Sequence, residues 1–350
     1  MSRKKILLTT ISVIVLSMVL AACGSKEPTN VEPTGIGIDA KKVLVAGEKE
    51  SIEIPLTIEP ADAHPIKISL TSSNEKVATA TIGAIDDEGN VITAAEQQKK
   101  KDKLASEDKE EAEKIVVPTN TAIITGTGYG DCEITAVLGE FSDRSKVVVA
   151  DKHLALTFDD GACPETTKLL DGLRKEDIKT TFFIVGEMTE SSDHVEALKQ
   201  AIKDGHEIGN HTYHHNAAGP TLKEELAKVD DVIVEAGGEQ STLMRPPGGA
   251  INSGTLECGK AIIMWSVDTM DWRDRDPNVV SDRIVHDSKD GDIVLLHDLH
   301  KTSVEGALDA IPKLKKKGFY ITTVTDLLGD PKPNKEYRNT EKKLESKIVE

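Results

Sequence analysis

A chain of 350 residues, 38% of them hydrophobic, is long enough for two domains with a sizeable core in at least one. Its formal net charge is −17 and no basic stripe follows the first few residues, which argues against nucleic acid as a partner, because phosphate binding needs clustered Lys and Arg. The acidity itself reads as surface solubility.

Ser2, Arg3, Lys4 and Lys5 make a short basic head, residues 6–22 are apolar with a few hydroxyls, and Leu20, Ala21 and Ala22 lead into Cys23. That order reads as a secretory signal. Its Leu-Ala-Ala-Cys ending resembles a bacterial lipoprotein signal, which implies that Cys23 is lipidated and anchors the chain to the cell membrane. A plain signal peptide or a membrane-spanning anchor are the alternatives, although the apolar run is short for a span. Two acyl chains on Cys23 would suffice for stable anchoring. Residues 24–35 are a polar linker.

Residues 36–150 read as β. Alternating or apolar runs at 43–45, 51–58, 66–70, 122–124, 132–137 and 146–149 are separated by turn residues, which predicts a small all-β sandwich. The stretches 71–79 and 87–94 resemble bacterial immunoglobulin-like repeats. A Lys/Glu/Asp/Ala-rich insert at 97–114 reads as a solvated loop or short helix. Such a module most often serves as a spacer or weak wall-binding unit.

From residue 152 the rhythm changes to alternating strand and helix. Strands are predicted at 154–157, 180–185, 207–210, 243–245, 262–267, 293–296 and 320–324. Helices are predicted at 165–174, 195–203, 222–234, 279–285 and 304–316. This predicts an α/β domain, a barrel-like sheet of about seven parallel strands. Residues 329–350, rich in Pro, Lys and Glu, are expected to carry little order. Cys132, Cys163 and Cys258 lie in a disulfide-permissive compartment, and a Cys163–Cys258 bridge is one conceivable pairing.

The polar residues of interest all follow predicted strands. Asp159 and Asp160 follow the first, His211 and His215 the third, and Arg245, Asp268 and His297 end the fourth, fifth and sixth. That is the face where barrel enzymes assemble their sites. Two histidines four apart, with one carboxylate, make a His₂-carboxylate set with open positions for water and substrate; His214 lies between them, but the spacing favours 211 and 215. A lone pair of this kind is more often a surface or core feature, and the neighbouring Asp pair is what strengthens it. Adjacent carboxylates point apart, so Asp160 is assigned as metal ligand and Asp159 as general base, oriented by Arg245. Asp-Asp-Gly is also good turn chemistry. His297 closes an apolar run and is placed to protonate a leaving amine, with Asp268 to hold it charged. Trp272 and Leu295 either wall the pocket or belong to the core. No Gly-x-Ser-x-Gly elbow is present.

These segments resemble the polysaccharide deacetylase family, the NodB-homology domain of carbohydrate esterase family 4, over residues 152–328. Thr-Phe-Asp-Asp-Gly at 157–161 resembles the motif carrying base and ligand, and His-Thr-x-x-His at 211–215 the motif carrying two further ligands. Arg-Pro-Pro-Gly-Gly at 245–249, Asp-Thr-Met-Asp-Trp at 268–272 and Leu-Leu-His at 295–297 resemble the remaining three. The resemblance implies a distorted β/α barrel, with a divalent metal, Zn2+ most often and Co2+ or Mn2+ in some members. It implies that Arg245 positions the base, that Asp268 tunes the acid His297, and that the residue 248 N–H stabilises the oxyanion. Gly248 stands where the family usually has an aromatic residue, and Ala162 and Cys163 precede Pro164 where a proline usually comes sooner.

The expected activity is removal of acetyl groups from N-acetylglucosamine in a cell-wall polysaccharide, peptidoglycan first. The alternatives are poly-N-acetylglucosamine, chitin oligomers or acetylxylan as substrate, or a non-catalytic wall-binding lipoprotein.

Overall fold

The computed structural model describes residues 31–349 apart from 62, 64–66, 87, 116, 118 and 217–220. The leader and Cys23 lie outside the described residues. No described helix is long and apolar enough to cross a membrane.

The first unit contains β1 (Gly35–Ile38), β2 (Lys42–Val45), β3 (Ser51–Glu59), β4 (Ser69–Ser72), β5 (Ala78–Ile85) and β6 (Val91–Thr93). Two helices follow, α1 (Ala94–Ala105) and α2 (Lys109–Glu113), and then β7 (Thr121–Gly126), β8 (Gly130–Leu138) and β9 (Phe141–Val149). The insert therefore folds as an outlying helix pair. It starts on a capping box in which the Thr93 hydroxyl accepts from Glu96 N–H and Glu96 accepts from Thr93 N–H. Strand order is β1-β3-β7-β5-β6 in one sheet, and β2, β9, β8 and β4 run side by side in the other. The alternating inward residues of the two sheets meet in one apolar core that includes Val43, Ile54, Ile124, Ile134 and Val147.

The second unit begins with β10 (Lys152–Asp159), α3 (Pro164–Glu176), β11 (Thr181–Ile184), α4 (Ser192–Lys203) and β12 (Glu207–Asn210). It continues with α5 (Leu222–Glu235), β13 (Leu243–Met244), α6 (Ser253–Leu256), β14 (Ala261–Ile263), β15 (Val267–Asp268), α7 (Asp271–Asp274) and α8 (Pro277–Asp287). It ends with β16 (Asp292–His297), α9 (Lys301–Lys316), β17 (Phe319–Thr322), α10 (Val324–Leu328) and two short strands, β18 (Glu336–Tyr337) and β19 (Lys347–Val349). β10 buries Leu154, Ala155, Leu156 and Phe158, the continuous apolar run of a strand covered on both faces. α3 turns Leu169, Leu170 and Leu173 into the core that α9 completes with Val304, Ala307, Ile311 and Leu314. α8 starts on Asp276, which accepts from Asn278 and Val279 N–H, with Pro277 in its first turn.

The sheet is a curled, parallel half-barrel in the order β15-β16-β10-β11-β12-β13-β14-β18. β10 is its branch point: residues 152–155 pair with β17, residues 157–159 with β11, and residues 154–159 with β16. In the last register Asp159 stands directly beside His297. The strand predicted at 262–267 is two strands on opposite margins of the sheet. Residues 264–266 cross between those margins, so apolar character there does not mark one continuous strand.

The segment 329–349, expected to be largely unordered, is ordered. β18 pairs in parallel with β14, Thr340 N–H donates to Gly291 O, and β19 adds antiparallel to β2 of the first unit. Backbone hydrogen bonds hold it, so its polar composition carried no signal. Charge pairs also join the units: Lys42 to Asp177 at 2.9 Å, and Lys315 to Asp131 at 3.0 Å. Cys132, Cys163 and Cys258 are unbridged, so the Cys163–Cys258 pairing does not form; the Cys163 thiol instead donates to the Asp298 carbonyl.

Candidate active site

Each candidate side chain stands at the carboxyl end of a parallel strand, where register fixes its neighbours. Asp159 closes β10 and is 3% exposed. Asp160 follows at φ 71, a left-handed conformation that turns its carboxylate away from that of Asp159. Asp159 Oδ1 accepts from Arg245 Nη1 at 2.7 Å. Asp160 Oδ1 lies 3.4 Å from His211 Nε2 and 3.2 Å from His215 Nε2. His211 follows β12. Thr212 and His215 also adopt positive φ, of 68 and 52, and Asn210 Oδ1 accepts from Thr212 N–H, so the segment curls and brings both imidazoles round.

Arg245 is fully buried. It donates from Nε to Ile263 O at 3.0 Å, from Nη2 to Met264 O at 3.1 Å, and from Nη1 to Thr157 Oγ1 at 2.8 Å and to Asp159. Its guanidinium lies over the Phe183 ring, 4.2 Å from the centroid. Burial pushes the guanidinium pKa down, and the Asp159 charge opposes that. A buried pair of this kind holds only because each guanidinium nitrogen has a partner.

His211 Nδ1 lies 2.7 Å from Arg245 O. A carbonyl can only accept, so Nδ1 carries the proton and neutral Nε2 offers a lone pair. That lone pair faces Asp160 Oδ1, a buried oxygen with no hydrogen-bond partner. Acceptors facing acceptors call for a cation between them. The three ligand atoms lie within 4.8 Å of one another, and separations of 3.2 and 3.4 Å match those of ligands on one tetrahedral ion with bonds of about 2.0–2.1 Å. Asp160, His211 and His215 therefore fit a divalent metal. Members of carbohydrate esterase family 4 depend on one. Burial opposes ionisation of Asp160; without an ion, protonated imidazoles at 211 and 215 would have to take its place to hold the carboxyl below the usual range.

His297 closes β16. Its Nδ1 lies 2.9 Å from Asp271 Oδ1, and its backbone N–H donates to Asp271 Oδ2 at 2.7 Å. Asp271, not Asp268, is thus the carboxylate on this histidine. Asp268 Oδ1 instead accepts from Met270 N–H at 2.9 Å. The chain turns through Met270 at φ 52, which swings Asp271 back over β16 and leaves Asp268 lining the cleft. Burial disfavours the imidazolium, but the Asp271 hydrogen bond and charge, with Asp159 and Asp160 behind them, raise its pKa to about 9.

A cleft of about 300 Å³ joins these groups. It is lined by Asp159, Asp160, His211, His215, Gly248, Asp268, Leu295 and His297, and by both tryptophans of the chain, Trp265 and Trp272. Gly248 is exposed at φ 59, and a Cβ there would meet no atom within 4 Å, so this wall of the cleft is open. Trp272 is 48% exposed while Leu295 is buried. Sequence reasoning missed Asp271, Trp265, Thr157 and Asp298. The second Asp of the 268–272 motif was visible but indistinguishable from the first without the turn. Trp265 gave no signal because it sits in the crossing between two strands. Asp298, fully buried behind the cleft, accepts from the Thr166 hydroxyl, and burial pushes its carboxyl up to about 7.

Residues 146–263 match the sequence profile of the family described as polysaccharide deacetylase. A peptidoglycan-N-acetylglucosamine deacetylase of Listeria monocytogenes is 34% identical over 186 residues, 51% of this chain and 40% of that one. A second protein of that description, from Bacillus cereus, is 36% identical over 193 residues, 51% of this chain and 89% of its own. A solved deacetylase with bound substrate, 34% identical, covers 53% of this chain and 96% of its own, with a TM-score of 0.51. The chain thus spans about two fifths of the Listeria relative and most of the Bacillus one.

Proposed function

Because this chain belongs to the polysaccharide deacetylase family, we propose that it hydrolyses the acetamido group of N-acetylglucosamine residues in a cell-wall polysaccharide, with peptidoglycan as the substrate. The observation that carries this reading is the unsatisfied Asp160 Oδ1 between two imidazole Nε2 atoms, beside a carboxylate bound to arginine and an imidazole bound to Asp271. The similarity to the Listeria and Bacillus peptidoglycan deacetylases favours that polymer.

When held by Asp160, His211 and His215, a divalent ion, zinc by preference with cobalt or manganese as substitutes, supplies Lewis acidity to the acetyl carbonyl and lowers the pKa of water at the site. Asp159 Oδ2, the oxygen not committed to Arg245, accepts a proton from the attacking water. The backbone N–H at Gly248 receives the charge that develops on the carbonyl oxygen. His297, fixed through Nδ1, presents Nε2 to the cleft and gives its proton to the departing amine as the C–N bond breaks. Acetate and a free amino sugar result. Trp272 and Leu295, with Trp265, border the sugar.

Around this centre we place a lipid anchor at Cys23, a linker over residues 24–35, an immunoglobulin-like spacer over 36–150 and the catalytic domain over 152–328. The test is acetate release from peptidoglycan, N-acetylglucosamine oligomers and acetylxylan, with Asp159→Asn as control. Release from peptidoglycan that disappears in the variant supports the reading. Release from acetylxylan alone moves the substrate, and none from any polymer by zinc-loaded protein overturns the catalytic reading.

A further inference from the structure

The segment after the barrel's last helix holds the arginine that holds the base. Arg245 has four acceptors. Two are on β10, Thr157 Oγ1 and Asp159 Oδ1; the other two are carbonyls at the end of β14, Ile263 O and Met264 O. β14 is three residues long and pairs on one side with β13, which carries Arg245 at its end. On its other side it has only β18. Ile262 N–H donates to Lys335 O at 2.9 Å, Met264 N–H to Tyr337 O at 2.8 Å, and Asn334 N–H to Lys260 O at 2.8 Å. Without β18, β14 would be an open edge with two unpaired donors flanking the carbonyls that receive the guanidinium. The Tyr337 ring packs on the cluster formed by Leu243, Ala261 and Ile263, which secures the added strand.

We infer that β18, anchored by Tyr337, is a positioning element for the Arg245–Asp159 pair. It clamps β14 so that the two carbonyls stay where a buried guanidinium needs them, and the orientation of Asp159 depends on it. The inference rests on the reading of Asp159 as the base. It adds that residues outside the matched family segment, which ends at 263, set the base's geometry. The metal ligands follow β10 and β12, and their link to Arg245 runs through its main-chain carbonyl, which accepts from His211 Nδ1, rather than through the guanidinium that β14 holds. Loss of the clamp therefore misplaces the base while leaving the ion site in place.

The experiment compares Tyr337→Ala and Tyr337→Phe in the full chain. Tyr337→Ala is expected to lower kcat for acetate release between about tenfold and a hundredfold, the range for a small misplacement of a reacting group. KM and zinc affinity should stay unchanged, and Tyr337→Phe, which keeps the ring, should restore kcat. The Arg245 Nε–H resonance, protected from solvent exchange in the parent, should exchange quickly in Tyr337→Ala and stay protected in Tyr337→Phe. A folded Tyr337→Ala protein with parental kcat and a protected Nε–H overturns the inference. So does a parallel fall of kcat, zinc affinity and melting temperature, which would mean general loosening. Should the parent release no acetate, the reading of the base fails separately and the Nε–H exchange alone decides the clamp. Deletion of residues 346–350, which removes β19 and spares β18, should leave kcat and exchange unchanged; a fall in kcat or faster exchange would place the anchor elsewhere.

Discussion

The two units treat charge in opposite ways. Among the described residues of the first, the fully buried side chains are apolar, Ser145 apart, and the lysines and carboxylates stay at or near solvent. At the carboxyl end of the barrel strands Arg245, Asp159, His211, Asp271 and Asp298 are all buried. Taking an ion out of water costs several kcal/mol even after relaxation. A purely structural unit has no use for that cost, whereas a site that must fix a base, an acid and an ion in one geometry does. Charge burial, rather than core size, separates the barrel from the first unit.

The widest separation comes from substitutions that leave packing alone. Asp159→Asn is isosteric and should reduce kcat by about 10²–10⁴-fold, the usual range for a general base, with zinc binding unaltered and the melting temperature lowered because the buried Arg245 charge loses its counter-charge. Arg245→Met removes one half of a buried pair. It should destabilise the barrel by about 3–5 kcal/mol in urea unfolding and reduce kcat as well, because Asp159 is left unpaired. Ile124→Ala in the first unit should cost about 2–5 kcal/mol from the cavity left behind. kcat should be unmoved at temperatures where both units stay folded; a matching fall in kcat would break the comparison.

A subtler test uses pH. In metal-free protein His297 should titrate at about 9, read from its ring resonances. The folded value lies above the ordinary 6.5, so the pair's stabilisation is complete below 6.5 and is lost as pH rises through about 9. Asp271, held below the usual carboxylate range against the pull of burial, loses its contribution only when the pH falls through its own lowered value. Asp271→Asn should bring the His297 titration down towards 6.5, move the alkaline limb of the rate profile with it, and reduce stability at pH 6 more than at pH 10. Asp268→Asn should do none of these. The smallest effect belongs to the exposed pair Lys199–Glu196 on α4, where Lys199→Ala should change stability by no more than about 0.5 kcal/mol.

The barrel was legible because several of its strands are apolar runs closed by one polar residue: Phe158 before Asp159, Leu296 before His297, Met244 before Arg245. Period and position sufficed to put those groups on one face. The ligand pair 211 and 215 was legible from its spacing once the Asp pair stood beside it. Asp271 was not, since choosing between two carboxylates three residues apart depends on a left-handed turn at Met270, and methionine gives no hint of one. The ordering of residues 329–349 was not legible because β18 is two residues long and held by main-chain hydrogen bonds. Trp265 was hidden because a run that reads as a single strand is cut between two margins of the sheet.

The most direct test of the central claim is zinc binding measured calorimetrically on metal-stripped protein and its Asp160→Ala and Asp159→Asn variants. The account predicts one ion per chain in the parent, retained in Asp159→Asn and lost in Asp160→Ala. An equal affinity in Asp160→Ala and the parent would contradict it.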